Sequence, residues 1–193
     1  QAQGNLEMKD MDIRYGETFH KLKLVPCQIS IKASKAGDDI RVDPGVITMH
    51  TMSLKTSGKI TGLTNPNFDL VIGTNDTSMK GWESLVPSLK EYEPDGNFTF
   101  QGSMKGTLGD LSANLQFSAP RLAVKVSQAT GGNKDATPSK SVFEFMDMKV
   151  QAEKKNNDIK GSGNLEIKKG VVMAAAFEKM QAQFDYQNDV LGI

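Results

Sequence analysis

Apolar and polar residues alternate along most of this chain, and that period of two predicts strands with one buried face. Leu111, Ala113, Leu115 and Phe117 alternate with Ser112, Asn114, Gln116 and Ser118. Phe68, Leu70 and Ile72 interleave with Asn67, Asp69 and Val71, and Phe98 and Phe100 with Asn97, Thr99 and Gln101. Met146, Met148, Val150 and Ala152 follow the same rule, as do Leu165 and Ile167; Leu22 with Leu24 and Ile29 with Ile31 repeat it more weakly. Turn residues punctuate these runs at Gly16, Lys35–Gly37, Pro44–Gly45, Asn65–Pro66, Asp95–Gly96, Gly109–Asp110, Asn156–Asn157, Lys169–Gly170 and Asn188–Asp189. Spacing this short suits antiparallel hairpins and meanders and leaves no room for βαβ crossovers.

Two segments read as helical. Trp82, Leu85, Val86 and Leu89 fall at helical spacing within Thr77–Tyr92, with Asp76 or Thr77 as N-cap and Pro87 limiting the run. A second short turn is expected around Ala174 to Met180. Residues 128–140 carry Gly131, Gly132, Asn133, Asp135 and Pro138 without a large apolar side chain, and read as a flexible loop between two strands of one domain spanning residues 1–193. Gly4-Asn5-Leu6-Glu7-Met8-Lys9 echoes Gly163-Asn164-Leu165-Glu166-Ile167-Lys168. Either a hairpin unit repeats, or amphipathic strands simply look alike.

With so few helices to cover them, the oily strand faces have two solutions. Two sheets can close face to face as a sandwich. Alternatively, one curved sheet can fold over itself and keep an apolar gap, suited to acyl chains that gain about 0.8 kcal/mol per buried CH₂. The ten methionines, among them Met8, Met49, Met52, Met104, Met146, Met148 and Met173, suit an adaptable lining but serve equally as core filler.

Composition narrows the function classes. Lys plus Arg and Asp plus Glu both total 23, so no basic excess points to nucleic acid and no acidic block to a solvating tail. The single cysteine, Cys27, has no internal partner and reads as a small packing residue. No apolar run approaches the roughly 18 residues of a membrane span, and no charged leader with an apolar core opens the chain. Both ends run into strand patterns, as expected of a piece of a longer protein.

Catalytic constellations fail on residue type or spacing. His20 and His50 lack partners at metal-ligand spacing and read as surface or groove-edge side chains. Ser103 and Lys105 have the letters of a Ser-x-Lys dyad, but alternation places them on a polar strand face. The acidic pairs Asp10 and Asp12, Asp38 and Asp39, and Glu91 and Glu93 sit in turns or on polar faces. Asn156-Asn157-Asp158 lacks the continuation of a calcium loop, and Gly131–Gly132 that of a phosphate loop. The expectation is a protein with no enzymatic activity, no metal and no cofactor.

Three segments resemble the AsmA-like family of bacterial envelope proteins, which includes the TamB-type lipid bridges. The first runs from Val46 to Leu54, followed by Ser57-Gly58-Lys59-Ile60-Thr61-Gly62. The second joins Trp82-Glu83-Ser84-Leu85-Val86-Pro87-Ser88-Leu89 to the glycine-rich hairpin from Gly96 to Gly106. The third runs from Gly161 to Val172, with Phe177 and Asn188-Asp189-Val190-Leu191 beyond it. The likeness covers most of the chain from Val46 onward; the chain departs from the family in its shortness and in lacking an initial transmembrane helix. The resemblance implies a mainly β fold, a curved antiparallel sheet folded over a hydrophobic groove (β-taco-like) with one or two short helices. It further implies a periplasmic module anchored to the inner membrane through a helix outside this chain. Such a module would hold phospholipid or another acyl-chain ligand and contribute to phospholipid transport or outer-membrane homeostasis. Alternation supplies the groove candidates: Phe68, Leu70, Ile72, Phe98, Phe100, Met104, Leu111, Leu115, Phe117, Leu122, Val124, Met148 and Val150. The alternative is a non-enzymatic β-sandwich, a scaffold or adhesion domain with a sealed core that binds another protein.

Overall fold

The computed structural model describes residues 2–126, 139–172, 174–187 and 190–192. Strands β1 (Ala2–Glu7), β2 (Ile13–Tyr15), β3 (Phe19–Lys21), β4 (Cys27–Ala36), β5 (Asp39–Met49), β6 (Met52–Thr61), β7 (Asn67–Thr74) and β8 (Thr77–Ser78) come first. Two single 3₁₀ turns follow, Trp82–Ser84 and Pro87–Leu89. Then come β9 (Asp95–Thr107), β10 (Asp110–Val126), β11 (Ser139–Lys155), β12 (Asp158–Val172), β13 (Ala175–Phe177), β14 (Met180–Gln187) and β15 (Val190–Gly192).

Thirteen of these strands form one sheet in the order β1-β4-β5-β6-β7-β9-β10-β11-β12-β14-β15, with β8 added beside β9 and β13 beside β12; β2 and β3 make a separate hairpin. Every pairing is antiparallel, as the short connections require. Four hairpins close through two residues each: Gly37–Asp38, His50–Thr51, Leu108–Gly109 and Asn156–Asn157. Gly37, His50 and Asn156 take positive φ there (61°, 52° and 57°), the backbone that matches a tight turn to the strand twist. The sheet does not close into a barrel, since β1 and β15 stay at opposite edges.

Two irregularities bend the sheet. The register shifts between Val42 and Gly45 on β5 and between Ser118 and Arg121 on β10, each inserting one extra residue. Pro44–Gly45, expected as a turn, is therefore a bulge within a strand. Lys169–Gly170 likewise lies inside β12, because the ladder continues through it to Val172. The helix expected over Thr77–Tyr92 is reduced to the two 3₁₀ turns, with Pro87 opening the second. Ala174–Met180 forms no helical turn; Ala175–Phe177 pairs with β12 as a strand instead. Met173, the Asn188–Asp189 turn and most of the expected loop at 128–140 lie outside the described residues, while Ser139 and Lys140 belong to β11.

The buried core is small and sits at one end. Among the described residues, the buried hydrophobic side chains are Cys27, Leu85, Ala119, Ala123 and Ile167. Cys27 opens β4 and Leu85 lies in the 3₁₀ segment, while Ala119 and Ile167 share one ladder row through Met146 and Ala123 lies further along β10. The His20 N–H donates to the Leu85 carbonyl (2.7 Å), the Trp82 indole N–H to the Thr51 hydroxyl (2.9 Å), and the Lys125 N–H to the Tyr92 carbonyl (2.6 Å). Lys21 is fully buried, and its ammonium donates to the carbonyls of Met11 (2.8 Å), Lys9 (3.2 Å) and Leu22 (3.2 Å). This clamp ties the β2–β3 hairpin onto the end of the sheet.

Elsewhere, among the described residues, the long strands make their close backbone approaches along the ladders, and few of their side chains are fully buried. The accessible surface is 12883 Å², against about 9,000 Å² for a compact monomer of this mass. Even at unfolded-chain exposure, the residues outside the description supply only about two thirds of that difference.

Candidate functional site: a continuous apolar sheet face

Residues opposite one another in a ladder point to the same side of the sheet, so the register traces each face across the strands. One row runs Ile31, Gly45, Thr56, Ile72, Gly102, Leu115, Val150, Gly163, Phe184. The next runs Ala33, Val42, Gly58, Leu70, Met104, Ala113, Ala152, Gly161, Tyr186. A third joins Phe100, Phe117, Met148, Leu165 and Ala182. Across nine neighbouring strands, β4 to β14, no row on this side carries a charge in the sheet's middle.

All thirteen residues expected to line the groove fall on this side, and all are half-buried: none is sealed and none stands free. Phe68 lies toward the turn end beside Ile60 and Gly106. Phe98 stacks on Phe117 with ring centroids 5.4 Å apart. Leu122 and Val124 are out of phase with Leu111, Leu115 and Phe117 when counted in twos. The β10 bulge at Ala119–Pro120 restores them to the same side, where Leu122 opposes Gly96 and Phe143.

Glycines make this face smooth. A Cβ on Gly102 would come within 2.8 Å of Leu115 Cδ2 and 3.2 Å of Ile72 Cγ1, so those side chains lean across it. The Phe184 ring occupies the space above Gly163, and the Phe177 ring that above Gly170. Aromatic rings laid on strand glycines recover the packing that a missing side chain forfeits.

Several residues on the face escaped the sequence reading. Val42, Ile47, Leu54 and Ile60 belong to it through β5 and β6, and Phe143, Phe184 and Tyr186 through β11 and β14. Phe143 was hidden because Phe145, at φ 55°, interrupts the alternation and leaves its own ring 56% exposed on the other side.

The opposite face is polar. Arg41, Lys59, Asp69 and Lys105 form one row across it. A depression of about 680 Å³ there is lined by Arg41, Asp43, Lys59 and Asp69, and both of these cations are paired: Lys59 Nζ lies 2.7 Å from Asp39 and Arg41 3.6 Å from Asp43. Ser103 and Lys105 are on this face, opposite Asn114 and Ser112 on β10. His50 packs at the capped end, its ring 6.1 Å from that of Trp82. His20 Nε2 lies 3.1 Å from Asp12 Oδ1, and this hydrogen bond holds the Asp12 carboxyl below its ordinary value. Cys27 is buried as a small packing residue, in keeping with its reading.

No helix among the described residues is long and apolar enough to cross a membrane. Neither a protein-family model, nor a curated protein, nor a solved structure matches this chain.

Proposed function

We propose that the chain is a non-catalytic, lipid-handling β protein whose apolar sheet face holds acyl chains. One observation carries the reading: an apolar face runs unbroken across the sheet, and its thirteen candidate residues are all half-buried rather than sealed. A contiguous apolar face of this extent that is not fully sealed suits a surface built to be covered. Acyl chains fit it chemically, since they need no directional partners and every methylene adds to the affinity. The AsmA-like resemblance supplies the setting: a periplasmic module on the inner-membrane side, anchored by a helix outside this chain, passing phospholipid outward or maintaining the outer membrane. The scaffold reading requires a sealed core, and all the long strands here belong to one ladder, which favours it less.

The test is native mass spectrometry of the chain purified after expression in the bacterial periplasm. Bound species of phospholipid mass, removable by organic extraction and restored by incubation with phosphatidylethanolamine–phosphatidylglycerol vesicles, are the expected result. A protein that is lipid-free as purified and takes up none from such vesicles would return the scaffold reading to first place.

A further inference from the structure

The short motif that opens the chain occurs twice, in two different environments. Gly4-Asn5-Leu6-Glu7-Met8-Lys9 and Gly163-Asn164-Leu165-Glu166-Ile167-Lys168 agree at five of six positions. The first copy supplies Gly4–Glu7 of β1, with Met8 and Lys9 beyond its end, and the second lies wholly in β12. β1 and β12 are the first and ninth strands of an all-antiparallel path, so they run in the same direction. Each pairs with the following strand of the sheet on the same side: Gly4 opposes Ile31 and Leu6 opposes Ile29, as Gly163 opposes Phe184 and Leu165 opposes Ala182. In both copies glycine and leucine lie on the apolar face.

The copies differ on their other side. There β12 is occupied by β11, with Val150 opposite Gly163, Lys149 opposite Asn164, Met148 opposite Leu165 and Asp147 opposite Glu166. Among the described residues β1 has no neighbour there, and all six of its residues are exposed. Apolar surface collects at this edge: Leu6 is 50% exposed and Ile31, beside Gly4, is 44% exposed. Nothing lies within 4 Å of the Cβ position of Gly4, whereas the same position on Gly163 is filled by a ring. Apart from the charge of Glu7 at its end, β1 lacks the devices that blunt a sheet edge, having no proline, no lysine and no bulge.

We infer that the free edge of β1 is a strand-acceptor site. Its occupant is an extended polypeptide segment that pairs antiparallel in the register β11 uses on β12. It carries a large apolar residue opposite Gly4 and another opposite Leu6, with polar residues opposite Asn5 and Glu7. Main-chain hydrogen bonds supply the attachment, and the apolar side chains set the register, because a slip by one residue moves them to the polar face. The added strand covers Leu6 and Ile31 and extends the apolar face by one row. The inference concerns a backbone edge and stands whether or not the face holds lipid.

The experiment uses the sequence of Glu144–Lys154 as a free peptide, since β11 is the natural occupant of the equivalent edge. In a Cys27→Ala background, Asn5→Cys is combined with peptides carrying a single cysteine in place of Asp147, Lys149 or Gln151. The Lys149 position is expected to form the disulfide at least tenfold faster than the other two. A peptide of the same composition with its alternation shifted by one residue is expected to bind at least tenfold more weakly by fluorescence anisotropy. Leu6→Lys should remove the preference while circular dichroism keeps the β signal. Cross-linking that is absent or equal at all three positions, or binding indifferent to the shift in alternation, would overturn the inference.

Discussion

Leu115 and Gln116 are sequence neighbours on opposite sides of β10, and a carboxylate placed at each separates a lipid-lined face from an ordinary core. Leu115 lies between Gly102 and Val150 in the middle of the apolar face, half-buried; Gln116 lies exposed between Gln101 and Lys149 on the polar one. Fully burying a leucine contributes about 1.5–3 kcal/mol. Half-burial halves that, so Leu115→Asp should destabilise the fold by about 0.8–1.5 kcal/mol, or roughly 2–6 °C in Tm for a chain of this length. An acyl chain over the same spot loses more. A carboxylate keeps its water and displaces the three or four methylenes that would lie against it, at about 0.8 kcal/mol each. The loss of about 3 kcal/mol corresponds to roughly 100-fold weaker binding. Displacement of a pyrene-labelled phospholipid, read beside thermal circular dichroism, measures both quantities on one sample. Gln116→Asp should change neither by more than a few tenths of a kcal/mol. Global unfolding of Leu115→Asp at room temperature would mean a sealed core. A folded Leu115→Asp that binds the labelled lipid as tightly as Gln116→Asp does would refute the apolar face as the site.

Other substitutions probe what holds the sheet. Lys21→Met leaves the carbonyls of Lys9, Met11 and Leu22 without the buried ammonium that donates to them and should cost about 1.5–3 kcal/mol in urea unfolding; little change would show that water replaces the ammonium. Gly163→Val drives a side chain into the Phe184 ring and should cost about 1–3 kcal/mol, whereas Gly4→Val meets open space and should be neutral or slightly stabilising; equal effects would show that the two copies of the motif sit in like surroundings. Glu93 is held below its ordinary carboxyl value of 4.5, first by its hydrogen bond with Lys125. A folded value below the unfolded one adds stability that is present above 4.5 and lost as pH falls through the lower folded value. The contact between residues 92–93 and β10 should therefore persist as pH drops through 4.5 and release only below it, as followed by the NMR signals of the Glu93 carboxyl and the Lys125 amide.

The fold class was legible because period two runs through stretches of each long strand, and Gly and Asn mark the tight turns at Gly37, Leu108–Gly109 and Asn156. Phase was harder to read. Pro44–Gly45 and Ala119–Pro120 carry turn letters, yet each is an extra residue absorbed within a strand. A bulge and a turn both need a local break in the ladder, and only the partner strand's register decides between them. The Trp82–Leu89 segment has helical spacing over barely two turns, too short to hold a helix without a packing face of its own. It is pinned instead by contacts to His20, Thr51 and Lys125, all distant in sequence.

Which apolar residues share a surface was legible strand by strand. Whether that surface is covered was not, because alternation reports only that a face is apolar. The two copies of the glycine–asparagine–leucine–glutamate motif make the limit concrete. Their letters are identical, yet Leu165 is flanked by Met148 and Ala182 while Leu6 stands half exposed beside one neighbour. A strand's sequence specifies its own two faces and says little of its two edges, since edge pairing runs through backbone groups that every residue carries alike. Position in the sheet is therefore a property of the whole meander. That is why the same four-residue string can serve as interior strand at β12 and as open edge at β1, and why the contrast between Gly4→Val and Gly163→Val reads out topology that no local pattern encodes.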